Sequence, residues 1–294
     1  MGLGGSFPKM GLGTAFIKSE KDIDIIYQAI KDGVRLIDTE PANEELVGRG
    51  IKKAIDDKIV KRKDLFIITK LEIEEKDKPK DALIKSLKRL KLKYVDLYLD
   101  HWPSCINFLH PEKTKKIKVA TTWNEMEKLV SEKLTKFIGL SNYNVENISN
   151  ILSKYKIKPY ALEVEFNPYL YQKDLKEFCD KEDIKLIAYN PLAQGEYCDK
   201  DYKLKYKLDL FKESNVEFLE KEYKKTKGQI ILNWHISLGV VPIPGTSKPE
   251  RMKENLMALK FSMDKKYVNS LLRFPDKQHR FNDGSKIFGI DIFA

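Results

Sequence analysis

The sequence predicts an α/β chain folded as a single (β/α)8 barrel, the TIM-barrel architecture, forming one domain over residues 1–294. Short, nearly continuous apolar runs of strand length recur along it, and such runs suit strands buried on both faces, as in all-parallel sheets. Most of the runs are followed by an apolar stripe at helical spacing. The alternation repeats eight times with no Pro-, Gly- or Ser-rich linker between halves, which argues for one closed barrel and against two domains.

The elements follow in order. Gly11-Leu-Gly-Thr14 reads as an entry strand whose glycines allow close backbone approach. Asp22 to Ile30 carries Ile23, Ile25, Ile26 and Ile30 on a helical stripe ended by Gly33. Val34, Leu36 and Ile37 form the next strand, with Asp38 and Thr39 at its carboxyl end. Asn43-Glu44-Glu45 then supplies an N-cap and an acidic first turn for a helix to Ile55. Leu65 to Thr69 is a strand ending in Lys70, and Ala82 to Leu92 is a helix with lysines opposite its leucines. Tyr94 to Leu99 leads to Asp100-His101-Trp102-Pro103. A helix from Trp123 to Val130 precedes the strand Phe137 to Leu140, which ends at Ser141-Asn142, and the helix Val145 to Leu152. Tyr160 to Phe166 is a strand, Leu170 to Cys179 a helix, and Ile184 to Ala188 a strand ending Tyr189-Asn190-Pro191. A polar insertion from Gln194 to about Lys212 precedes Phe218–Tyr223 and the helix Gln229 to Leu238, stopped by Gly239. Val240 to Pro244 is the last strand and Pro249 to Leu256 the last helix.

Composition bounds the function classes. Hydrophobic residues at 42% with 33% charged describe a soluble globular protein, and no apolar run approaches the ~20 residues that span a bilayer. The net charge of +10, from 54 basic and 44 acidic residues, is interleaved along the chain without an aromatic-basic motif, so no nucleic-acid partner is expected. Cys105, Cys179 and Cys198 are odd in number, far apart and in no metal-ligand spacing, which points to free thiols, no metal site and a cytoplasmic setting. Gly2 with Ser6 fits an N-myristoylation pattern, but a flexible lead-in is the preferred reading because no polybasic second anchor follows.

Asp38, Lys70 and His101 each end a separate predicted strand, with Glu163 at the end of another. Polar groups converging at strand ends are what a barrel active site requires; a structural ion pair would explain Asp38 with Lys70 but not His101 as well. Longer motifs then carry a resemblance. They are Gly33-x-Arg35-x-Ile37-Asp38-Thr39 with Asn43-Glu44 and Val47-Gly48, Lys70-Leu71, Tyr98 to Pro103, Trp123 to Val130 and Ile138 to Asn144. Beyond these come Glu165 to Leu170, Ala188 to Leu192, Pro249 to Leu256, and a tail with Arg280 to Asp283 and Ile290 to Ala294. On these residues the chain resembles the aldo-keto reductases, the aldose and xylose reductases in particular, from about Phe7 to Ala294.

The resemblance implies NADP(H)-dependent reduction of an aldehyde or ketone, perhaps an aldose, by a monomer or weak dimer. It also implies catalytic roles for Asp38, Lys70 and His101, with Lys70 and Asp38 tuning an acid and His101 orienting the carbonyl. The acid itself, a tyrosine in the family, has no counterpart. The family loop is two residues longer, and only Glu40, Pro41 and Ala42 stand between Thr39 and Asn43. Water, His101 or Glu40 would then supply the proton, and turnover is expected to be impaired. The alternative is a degenerate barrel that binds a nicotinamide dinucleotide without useful turnover.

For the cofactor, the resemblance assigns Ser141 and Asn142 to the nicotinamide carboxamide, although Tyr189, matched to a ring that stacks on nicotinamide, also reads as a core aromatic. Thr246, Ser247, Lys248, Arg251, Glu254 and Asn255 match the segment that reaches the adenosine 2′-phosphate and adenine, while Gly245 stands where many relatives have a lysine. Glu163 stands where relatives have a glutamine, and either it meets the carboxamide or it pairs with a nearby lysine. In the loop after His101, Trp102, Ile106 and Phe108 either line an apolar mouth or simply pack.

Overall fold

A computed structural model describes residues 7–103, 119–193, 208–272, 274, 277–284 and 293. Gly2, Cys105, Ile106, Phe108, Cys198 and most of the polar insertion lie outside the described residues. Eight parallel strands pair in chain order: β1 (Gly11–Gly13), β2 (Leu36–Asp38), β3 (Phe66–Leu71), β4 (Val95–Asp100), β5 (Thr135–Ser141), β6 (Ala161–Glu165), β7 (Lys185–Tyr189) and β8 (Val241–Pro242). A parallel bridge between Gly13 and Gly245 brings the end of β8 back to β1, with Gly13 N–H donating to Pro244 O at 3.2 Å. The result is the expected (β/α)8 barrel.

Helices α1 (Ile23–Lys31), α2 (Glu44–Asp56), α3 (Pro79–Leu90), α4 (Val119–Ser131), α5 (Val145–Leu152) and α6 (Lys173–Lys181) each connect one strand to the next between β1 and β7. After β7 come α7 (Ser214–Tyr223) and α8 (Lys227–Ser237), and after β8 come α9 (Pro249–Leu256) and α10 (Lys265–Ser270). Gly33 (φ +110°) and Gly239 (φ +74°) leave α1 and α8 through the left-handed region that a side chain disfavours, as the sequence suggested. Gly48 serves a different purpose, since a Cβ there would stand 2.6 Å from the Leu90 Cα where α2 meets α3.

Some boundaries differ from expectation. The sixth helix starts at Lys173, not near Leu170, because an antiparallel bridge between Asn167 and Leu170 makes a turn first. The short α10 was not anticipated; its six residues are too few for a legible helical period. Asn43 stands at the N-cap of α2, but its side chain does not cap: Oδ1 accepts from the Thr39 hydroxyl (2.5 Å) and Glu40 N–H (3.3 Å), and Nδ2 donates to Thr14 O (2.9 Å). It staples the short loop after β2 instead.

Side chains alternate between two cores. Ile37, Ile67, Tyr98 and Leu162 point outward into the layer between sheet and helices, whereas Leu36, Ile68, Leu99, Ala161 and Ile187 fill the barrel interior. At the amino end of the barrel Phe7 packs edge-on against Phe66 (centroids 4.9 Å apart), and Phe137 stacks on Tyr160 (4.0 Å). The interior is closed there, and chemistry is left to the other end.

Candidate active site

The same two-residue alternation carries functional side chains into the barrel one step above the apolar layer. Leu36 is followed inward by Asp38, Ile68 by Lys70, Leu99 by His101, Ala161 by Glu163 and Ile187 by Tyr189. Glu163 is therefore the middle residue of β6 and not its end, as the sequence had suggested; the stagger of the strands still sets it level with Lys70. All five line one cavity of about 150 Å³ together with Glu40, Trp102, Asn142, Phe16, Gly245 and Asn282.

Lys70 is the hub. Its Nζ stands 2.5 Å from Asp38 Oδ1 and 3.3 Å from Glu163 Oε1, and it donates to Thr39 O at 3.2 Å. All three side chains are almost wholly buried. Burial alone would lower the lysine pKa, but the charges of Asp38, Glu163 and Glu40 outweigh it and raise the pKa, so the ammonium stays charged. Glu163 moves the other way. Burial first and the Asp38 charge second push it up to about 8, with Lys70 offsetting part of the rise. Its Oε2 is buried without a hydrogen-bond partner among the described residues. Of the two alternatives left open for Glu163, the pairing with a lysine is present, and the residue also lines the cavity.

His101 approaches from the next strand. Its Nδ1 lies 3.0 Å from Glu72 Oε1, which leaves Nε2 as the nitrogen available to the cavity. Burial pushes Glu72 up, but the charge of His101 and the hydrogen bond to it prevail and hold the carboxyl below its usual range. Behind the histidine a buried ion pair joins Lys76 to Asp100 (2.6 Å). Tyr143 donates to Asp100 at 2.7 Å, and Lys76 donates to the Trp102 carbonyl. Sequence reasoning missed Glu72. The available signal was that it follows Lys70 by two positions, on the same inward-facing period.

Asn142 takes a left-handed backbone (φ +62°) just past β5. Its Nδ2 donates to His101 O (3.1 Å) and Ser141 Oγ (3.2 Å), and its Oδ1 accepts from Tyr189 Oη (2.8 Å). Tyr189 is the only tyrosine lining the cavity among the described residues, and burial raises its pKa well above the ordinary phenol value. The C-terminal tail is fastened over this face because Glu165 accepts from Phe281 N–H (3.2 Å), Asn282 N–H (2.8 Å) and Asn190 Nδ2 (2.9 Å).

Ser141, buried at the end of β5, does not line the cavity, and the other expected site residues follow Gly245 in the chain and do not line it either. Thr246 is buried, its hydroxyl folded onto its own loop by bonds to Lys248 N–H (3.0 Å) and Lys248 O (3.2 Å). Ser247, Lys248 and Arg251 are exposed around the start of α9, and Asn255 is buried on the same helix. Glu254 is engaged elsewhere, accepting from Thr226 Oγ1 at 2.6 Å. A Cβ on Gly245 would stand 2.5 Å from the Phe16 ring, so only a glycine lets that ring pack against the loop after β8.

A barrel with a buried Asp–Lys pair and a histidine at the carboxyl ends of successive strands defines a class of reductases. The sequence profile of the Aldo/keto reductase family matches residues 1–274, and the chain belongs to that family. It is 33% identical over 290 residues to "Aldose reductase C" of Dictyostelium discoideum, covering 91% of this chain and 87% of that one. It is also 33% identical over 313 residues to the "NADH-dependent D-xylose reductase" of Candida parapsilosis, covering 99% and 96%. Among solved structures, the Bombyx mori aldo-keto reductase in complex with NADP superposes with a TM-score of 0.87 at 31% identity, covering 96% of this chain and 94% of that one. The aldose reductase from Schistosoma japonicum does so with 0.88 at 27%, covering 99% and 96%. No helix among the described residues is long and apolar enough to cross a membrane.

Proposed function

We propose that this protein reduces the carbonyl of a small aldehyde or ketone, with aldoses as the substrate class, using NADPH. The observation that carries the reading is the cavity in which Lys70, buried against Asp38 at 2.5 Å, and His101, held by Glu72 at 3.0 Å, face the same space. The residues present fit a nicotinamide dinucleotide. Asn142 and Glu163 offer polar groups at the cavity wall, and Ser247, Lys248 and Arg251 gather donors and positive charge where α9 begins, which suits a phosphate. Such a cofactor, when bound, supplies a hydride.

Lys70 draws the carbonyl oxygen toward its ammonium and stabilises the negative charge that develops there. His101, with Nδ1 on Glu72, turns Nε2 to the cavity and offers the proton from there. Asp38 keeps Lys70 in place. Trp102 covers one side of the cavity and helps to exclude water. Turnover is proposed to be slow. A positioned acid contributes roughly 10²–10⁴ in rate, and no free phenol replaces the family tyrosine among the described lining residues.

A catalytically degenerate binding protein is the second reading, favoured by that same missing tyrosine and by the Asn43 staple that holds the short loop closed. The deciding experiment measures NADPH consumption with D-xylose and with a simple aldehyde, beside a titration of cofactor binding. Binding with turnover that falls on His101→Gln supports the reductase. Binding with no turnover on any carbonyl selects the degenerate barrel, and no binding removes both.

A further inference from the structure

Glu163, on the cavity wall, takes no part in holding or protonating the carbonyl. Asp38 from β2 and Glu163 from β6 share one ammonium, that of Lys70 from β3, at 2.5 and 3.3 Å. Their side chains are 10%, 3% and 5% exposed in that order. Two ionised carboxylates on one ammonium would leave a net negative charge in a place nearly closed to water, which desolvation and mutual repulsion both oppose. One additional proton removes the imbalance. Asp38 holds the shorter ion pair, whereas Glu163 holds the longer one and keeps Oε2 without a partner among the described residues. The proton therefore sits on Glu163.

The other titratable groups facing this point leave that assignment intact. Glu40, in the loop after β2, acts on Lys70 and strengthens its charge. Tyr189 on β7 is tied to Asn142 and is kept neutral by burial. His101 lines the cavity from the end of β4 with Glu72 behind it, and its charge is the one other variable in reach.

We propose that Glu163 is a proton-linked sensor of charge in the cavity, so that an oxidised nicotinamide dinucleotide, with its positive ring, binds with release of one proton while the reduced form binds without release. The inference rests on the reading above that such a cofactor binds here. The only bond broken is the O–H of the Glu163 carboxyl, and its proton passes to solvent; no redox partner is needed. A neutral carboxyl can donate as well as accept, whereas its ionised form only accepts and attracts a positive ring. Below about pH 8, where burial and Asp38 keep Glu163 protonated, the protein therefore favours the reduced form and sheds the oxidised one, as suits a protein working in the direction of reduction.

The test measures binding and not activity. Calorimetric titrations of the wild-type protein near pH ~7, in two buffers of different ionisation enthalpy, count protons; about one released per NADP⁺ and about none per NADPH is expected. Across pH ~6 to ~9, the ratio of the NADP⁺ to the NADPH dissociation constant should fall by about tenfold per pH unit and level off above about 8. The 2′-phosphate is common to both ligands and cancels in the ratio. In Glu163→Gln, which leaves His101 and Glu72 in place, the ratio should be flat. Equal proton counts for the two ligands overturn the proposal, and so does a pH slope that survives Glu163→Gln, since His101 would then be its source. Failure of both ligands to bind removes the cofactor reading and this proposal with it, whereas binding with a pH-independent ratio removes this proposal alone. The wild-type proton count needs no variant to fold.

Discussion

Replacing Lys70 with Met removes the single cation between two buried carboxyls and keeps most of the side-chain volume. Breaking a buried ion pair by deleting one partner costs about 3–5 kcal/mol, because the remaining charge is left uncompensated. Unfolding entropy of about 2.1 cal/mol/K per residue, over 294 residues, gives about 0.6 kcal/mol/K, so each kcal/mol lowers Tm by about 1.6 °C. The variant should melt roughly 5–8 °C below the wild type near neutral pH. The pH dependence has a definite sign. Without Lys70, the folded-state pKa of Glu163, already raised by burial and the Asp38 charge, rises further above its unfolded value, so the folded variant binds more protons, and its stability is lost as pH rises. The deficit should therefore be larger at pH ~8 than at pH ~5. Differential scanning calorimetry on cofactor-free protein reads both quantities, and the double variant Asp38→Asn, Lys70→Met should recover part of the loss. A drop under about 2 °C, or a deficit that does not grow with pH, would refute the view that Lys70 is the cation against which both buried carboxyls are held.

Further expectations concern the site itself. Restoring the family loop by inserting two residues, so that Thr-Ala-x-x-Tyr-x-Asn replaces the present segment, should raise turnover by at least ~10²-fold. The same insertion with Phe should not, and equal behaviour of the two would show that the missing acid is not what limits the rate. Glu72→Gln should lower turnover, since His101 loses the carboxylate that fixes its Nδ1 and turns Nε2 to the cavity; unchanged turnover would leave Glu72 a packing residue. Arg251→Ala should weaken NADPH by about tenfold or more while barely changing NADH, as fluorescence titration would show, if the guanidinium meets the 2′-phosphate. Glu163→Gln should gain stability relative to wild type as pH rises from about 5 to 8, because a carboxyl whose folded pKa is raised to about 8 loses stability over that range; parallel Tm profiles would contradict it.

The sequence by itself determined the barrel, because strands covered on both faces must be apolar throughout and helices must show a stripe; both patterns survive without knowing what packs against what. It also marked Asp38, Lys70 and His101, since polar residues ending apolar runs stand out from their surroundings. Gly33 and Gly239 were legible as helix ends for the same local reason, a backbone conformation that side chains disfavour.

Only the tertiary structure set Glu163 against Lys70. That pairing depended on the stagger that sets the middle of β6 level with β3, and the upward shift of its carboxyl on burial and on the Asp38 charge. Glu72 was hidden for a similar reason: its bond to His101 joins the ends of β3 and β4, and no local pattern records that meeting. Asn43 carried a cap signature, yet its side chain turned to Thr39, Glu40 and Thr14, because closing the short loop left a buried carbonyl and hydroxyl for it to satisfy. Periodicity fixes which face a residue occupies, but the partners that set its charge come from other strands, and those distances exist only once the barrel has closed.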